Sequence, residues 1–199
     1  MEGFKIRVLS FTIRDMKTRF LLLLLLFFSC QPKKERIDKI VHPKIEVEYS
    51  RFFVGDINND QEKDTAFVIL KREIETGELV SEGNNYTINI EFSNGIPKIS
   101  IDHSLGVFVA KTEDLNGDEA NEIILFSRTN EGYWNDISVW SFMGGKWNQI
   151  GHTKAFVSEN KDFENRIINE HGEYFLIGED PWELDALGKF KRIRVKIVK

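Results

Sequence analysis

Two nine-residue strings hold the side chains of this sequence best suited to chemistry. The first runs Asp56-Ile57-Asn58-Asn59-Asp60-Gln61-Glu62-Lys63-Asp64, the second Asp114-Leu115-Asn116-Gly117-Asp118-Glu119-Ala120-Asn121-Glu122. Oxygen-bearing groups stand at positions 1, 3, 5 and 9 of both: Asp56, Asn58, Asp60 and Asp64, then Asp114, Asn116, Asp118 and Glu122. That spacing gives a hard cation such as Ca²⁺ the converging oxygens it needs. Three carboxylates in one short loop repel one another unless a cation neutralises them. Metal-free Asx-turns between strands use the same residue types. The second string begins 58 positions after the first, and recurrence at a fixed period marks an internal repeat.

The elements that must hold these loops read as strands. Arg51–Val54 enters the first loop and Thr65–Leu70 leaves it; Val107–Ala110 enters the second and Ile123–Phe126 leaves it. The exits are continuous apolar runs, as in strands buried on both faces. Tyr86–Phe92 alternates apolar and polar, Asn94-Gly95 supplies a hairpin turn, and Lys98–Asp102 alternates again. Ile137–Phe142, Gly144-Gly145 and Lys146–Ile150 predict an equivalent hairpin, and Arg166–Asn169 with Glu173–Ile177 a third. Arg192–Ile197 reads as a last strand with Arg192, Arg194 and Lys196 on one face, a pattern that guards an edge. One segment reads as helix: Asp180 as N-cap, Pro181 at N1, Glu183 at N3 and Gly188 past the end predict a short one. One unit is thus an entering strand, an acidic loop, a buried strand and a hairpin, which is the content of a propeller blade.

An EF-hand would close its site with a Glu at position twelve. Those positions are Phe67 and Leu125, inside the exit strands, so that reading fails. The residues resemble instead the FG-GAP or VCBS repeats of integrin alpha-chain propellers and many exported bacterial proteins, whose loop reads D-x-[DN]-x-D-G-x-x-D between two strands. The match covers Phe52–Leu70 and Val107–Phe126. The resemblance implies that Asp56, Asn58, Asp60 and Asp64, with the Glu62 carbonyl, hold one structural Ca²⁺. Asp114, Asn116, Asp118 and Glu122, with the Ala120 carbonyl, would hold a second. The chain departs at position six, where Gln61 and Glu119 replace the family's glycine and bring strain and weaker affinity. The expected fold is all-β, with antiparallel blade-like units forming a partial propeller of two to three; a β-sandwich is the alternative. Residues 155–177 stand where a third unit would be, but Ser158–Asp162 lacks the ligand spacing.

The N-terminus sets the compartment. From Met16, basic residues lead into an apolar block, Phe20–Phe28, that ends at Ser29-Cys30. This is a secretory signal, too short to span a bilayer. Met16 is a better start than Met1, because Met1–Asp15 precedes an already complete signal. Cys30 is the single cysteine, so no internal disulfide forms. Phe27-Phe28-Ser29-Cys30 resembles the lipobox of bacterial lipoproteins, which implies a signal over residues 1–29 and lipidation of Cys30. Residues 30–43 read as a polar tether and 44–199 as one β-repeat domain. By the family's sorting rule, Gln31 after the cysteine implies the outer membrane of the cell envelope, with the lipid anchor as the membrane contact. Without residues 1–29 the chain carries 22 basic and 30 acidic side chains, a balance that excludes nucleic acid as partner.

Catalytic constellations are weak in the sequence. His42, His103, His152 and His171 are scattered without ligand spacing and read as surface or turn residues, and no nucleophile-elbow, P-loop or zinc-protease string occurs. Tyr133, Trp134, Trp140 and Trp147 offer a carbohydrate platform or, more commonly, hairpin packing. The sequence is therefore expected to encode a non-enzymatic, calcium-stabilised lipoprotein that binds a protein or glycan or scaffolds an envelope assembly. The alternatives are an enzyme acting on envelope polymers and a subunit that assembles by oligomerisation.

Overall fold

The computed structural model describes residues 43–80, 86–163 and 165–198. The expected signal, Cys30 and most of the tether lie outside the described residues. Eleven strands are described, and the described residues are all-β apart from one 3-10 helix, Asn160–Phe163. The first sheet is an antiparallel meander of β1 (Ile45–Gly55), β2 (Asp64–Glu73), β3 (Thr87–Phe92) and β4 (Ile99–Asp102). The second repeats that order with β5 (Gly106–Lys111), β6 (Ile123–Arg128), β7 (Trp134–Met143) and β8 (Lys146–Phe156). The third has three strands, β9 (Ile167–Glu170), β10 (Glu173–Leu184) and β11 (Phe190–Lys196). Pro43–Lys199 forms one compact unit. Among the described residues no helix is long and apolar enough to cross a membrane.

The second sheet is the middle layer, because side chains alternate across a strand. On β6, Ile123 and Leu125 enter a core shared with Val54, Ala66, Val68, Ile88 and Ile90 of the first sheet. Their neighbours Ile124 and Phe126 enter a second core with Leu176 and Ile197 from the third sheet and its tail. The continuous apolar run of β6 is explained by these two covered faces. β2 carries a similar run, yet only Ala66 and Val68 are fully buried, while Phe67 and Ile69 stay half-exposed. Nothing among the described residues covers the outer face of the first sheet, where Tyr49 and Phe53 of β1 are 65% and 70% exposed.

The third sheet approaches the second at β8 rather than repeating the first contact. Gly178 of β10 permits this, since a Cβ there would collide with the Thr153 side chain and the Lys154 carbonyl. The outer face of the third sheet is charged. Arg194 lies over the Phe175 ring at 4.4 Å and pairs with Glu170, and Lys196 pairs with Glu173.

The predicted helix over Asp180–Gly188 is not present; the segment is the end of β10 and a hairpin turn. Asp180 and Asp185 do receive backbone amides, as caps would, but they build Asx-turns. The Trp182 amide donates to Asp180 (2.8 Å), and those of Leu187 and Lys189 donate to Asp185 (2.8 and 2.9 Å). Capping residues and turn residues are the same types, and pairing with β11 decides the outcome here.

Candidate functional site: two acidic loops

Both acidic loops are closed by nearly the same set of bonds, differing in which amides besides that of position 6 reach the first carboxylate. The position-1 carboxylate folds back over its own loop: Asp56 accepts from the amides of Asp60 (3.1 Å) and Gln61 (2.8 Å), Asp114 from those of Gly117 (2.6 Å) and Glu119 (3.0 Å). Position 3 accepts from the position-5 amide, Asn58 from Asp60 and Asn116 from Asp118 (3.2 and 2.9 Å). Position 5 accepts from position 7, Asp60 from Glu62 and Asp118 from Ala120 (2.8 and 3.0 Å). Position 9 accepts from position 2, Asp64 from Ile57 and Glu122 from Leu115 (3.1 and 2.6 Å). Ile57 and Leu115 are buried and anchor each loop in its core.

Backbone angles repeat as well. Position 4 has φ of 56° at Asn59 and 89° at Gly117, and position 6 has φ of 69° at both Gln61 and Glu119. The left-handed conformation expected at position six is therefore present and is held by non-glycine residues, at a cost of about 1–3 kcal/mol each.

The loops differ at position 9. Asp64 is fully buried and surrounded by neutral donors: Ser93 Oγ and Asn94 Nδ2 donate to one oxygen (3.0 and 2.9 Å), the Ile57 amide to the other. Glu122 is equally buried, but its second oxygen faces Asn116 Nδ2 at 2.9 Å, and that nitrogen also lies 3.1 Å from Asp118 Oδ2 and 2.9 Å from Ser141 Oγ. Asp114, Asp118 and Glu122 each bring an oxygen within 4.8 Å of the others. Among the described residues this is the one such group; Asp56, Asp60 and Asp64 do not form another.

The electrostatics follow from this packing. Burial pushes the Glu122 carboxyl up to about 7, and the charges of Asp118 and Asp114 add to it against the Leu115 amide and Ser141 hydroxyl. Burial also acts to raise Asp114, but the amides of Gly117, Glu119, Asn116 and Asp118 outweigh it and leave the carboxyl below its ordinary value. The donor set fits a small hard cation: three carboxylates converge, one is buried and costly to ionise, and an Asn amide can turn its oxygen inward.

The loops also touch. The Asn121 side chain accepts from the Asp56 amide (3.1 Å), its backbone amide donates to the Asp56 carbonyl (2.7 Å), and its Nδ2 donates to the Thr112 carbonyl (2.9 Å). Gly55, at φ 81°, makes room; a Cβ there would sit 2.9 Å from Asn121 Cγ. Sequence reading does not find Asn121, Ser93, Asn94 or Ser141 as loop partners. Asn94 is legible only as a turn residue, and no local pattern marks a contact across sheets.

The remaining candidates disperse. Trp147 packs on Phe92 and Phe142 and donates to the Pro97 carbonyl. Trp140 donates to Ser138, and Trp134 and Tyr133 lie on Phe156. These aromatics occupy separate places and do not make one platform. His103 and His171 sit in turns at positive φ, and His152 is exposed 3.8 Å from Asp136. Neither a family model, nor a curated protein, nor a solved structure matches the chain.

Proposed function

We propose that this protein is an exported, lipid-anchored β-repeat module that binds a protein or glycan partner or scaffolds an envelope assembly, with one Ca²⁺ clamping its second acidic loop. The observation that carries the ion is the convergence of Asp114, Asp118 and buried Glu122. With Asn116 they would hold a cation that neutralises the three charges and ties the loop to the core beneath Leu115. The first loop fits an ion less well, since Ser93 and Asn94 already satisfy Asp64. Blade units of FG-GAP or VCBS type are the finer reading of the two four-stranded sheets, supported by the same strand order and nearly the same loop bonding. A cavity of about 810 Å³ lies beside β5, with Glu113 as its one carboxylate.

Titration calorimetry of the full chain with CaCl₂ tests the ion. One site is expected, abolished by Asp118→Asn and kept by Asp60→Asn; no heat and an unchanged melting temperature in chelator would overturn it. Cys30→Ser tests the anchor, and should move the protein from the membrane pellet to the soluble fraction. Retention of that variant in the pellet refutes lipidation at Cys30 as the attachment.

A further inference from the structure

Two open surfaces of the domain are related by the same 58-residue offset as the loops. Within the chain, the inner face of β1 and β2 receives β5. Phe52 meets Phe108 edge-on with centroids 5.3 Å apart, Val54 and Ala66 share a core with Val107 and Val109, and Gly55 takes the Asn121 side chain. Moving the receiving residues Phe52, Val54, Gly55, Ile57 and Ala66 on by 58 gives Ala110, Thr112, Glu113, Leu115 and Ile124. All five line the open cavity of about 810 Å³. Where the first sheet holds a strand, the second has a space, because the third sheet sits over β8 instead.

The arriving side has its counterpart too. Moving Val107 and Val109 back by 58 gives Tyr49 and Arg51, exposed on β1, and moving Leu125 back gives half-exposed Phe67. Asn121 becomes Lys63, exposed in the first loop. We infer that the cavity beside β5 receives β1 of a second copy of this chain, seated as β5 is seated on β1, with Lys63 of the partner subunit against Glu113. Charge complementarity at one contact supports that occupant: Asn121 on Gly55 within a chain becomes a cation on a carboxylate between chains, while of the two cations that also line the cavity, Lys111 and Arg166, the latter is already paired with Glu179. Asn165 and Asn169 on the far wall offer acceptors for the incoming Arg51. The far end of the stack carries its ion-paired face instead, as a terminal layer does. Each copy uses a different surface, so the contact is heterologous and propagates head to tail, as a ring or an open chain. The inference rests on the repeat reading and not on the ion.

Light scattering of the full chain in mild detergent, across a wide concentration range and in chelator as well as calcium, tests it. Mass should rise above the monomer in both buffers. Lys63→Glu and Glu113→Lys should each weaken self-association about tenfold or more, and the two together in one chain should restore it. Melting curves of these exposed-site variants establish that the fold is kept. Mixing a Lys63→Cys chain with a Glu113→Cys chain under oxidation should give a dimer whose cross-linked peptide joins positions 63 and 113. A monomer at every concentration overturns the inference, as does an oligomer indifferent to both charge reversals and lacking that peptide. Failure of calcium to bind would leave these results unchanged, so the two readings fail separately.

Discussion

The two acidic loops share strand context, backbone angles and nearly every internal hydrogen bond, yet they bury their ninth side chain in different company. Asp64 meets a serine hydroxyl, an asparagine amide and a backbone amide, all of them donors. Glu122 keeps the backbone amide of Leu115 but otherwise meets two carboxylates, a serine hydroxyl and an asparagine that can present either end. In the first loop Asp64 is thus met by donors alone, and the second loop keeps a charge that its surroundings oppose. A motif of this kind fixes a backbone; whether it also fixes an ion depends on the neighbouring strands.

The largest contrast is expected from removing the ninth charge in each loop. Asp64→Asn places an amide nitrogen against donors and should cost about 3 kcal/mol, with or without calcium. Glu122→Gln in chelator at alkaline pH should instead raise stability by about 1 kcal/mol, since it removes a poorly compensated buried charge. Equal losses in urea melts of the two variants would end the distinction between the loops.

The pH dependence sharpens the same comparison. The folded-state value for Glu122 is about 7 against an ordinary 4.5, so the folded protein binds this proton more tightly than the unfolded chain does. In chelator, this group's contribution is most favourable below about pH 4.5 and is lost as pH rises through 7, by at most about 3 kcal/mol. Glu122→Gln should flatten that slope, and a slope unaltered by the substitution would assign it to other groups.

A smaller difference separates two glycines at positive φ. Gly55→Ala both strains the backbone and strikes Asn121, and should cost about 2–3 kcal/mol; Gly117→Ala faces open space and should cost about 1 kcal/mol. Asn121→Ala should relieve the excess at Gly55, because a double-mutant cycle reports the shared contact. Additive losses across that cycle would mean the side chain at 121 does not press on residue 55.

Much of the fold was legible because hairpin signals are local. Asn94-Gly95 and Gly144-Gly145 all have positive φ, as such turns require, and the flanking alternation matches the buried face of β3. The helix reading of Asp180–Gly188 failed because capping and turn residues are chemically the same and only the partner strand distinguishes them. The two continuous runs leaving the loops looked alike in sequence, yet β6 is covered twice and β2 once. The candidate ligands were legible by spacing; the donors that satisfy Asp64 were not, since Ser93 and Asn94 lie about thirty residues away.

The sequence by itself determined most of the strands and turns and the geometry of each acidic loop, since these depend on side chains within a few residues of the backbone they bend. Tertiary structure decided which loop brings its carboxylates together, which sheet became the middle layer and which faces stayed open. Those outcomes depend on burial and on donors supplied from distant strands, and a carboxylate's preference for a proton, a hydrogen bond or an ion is set by that packed environment.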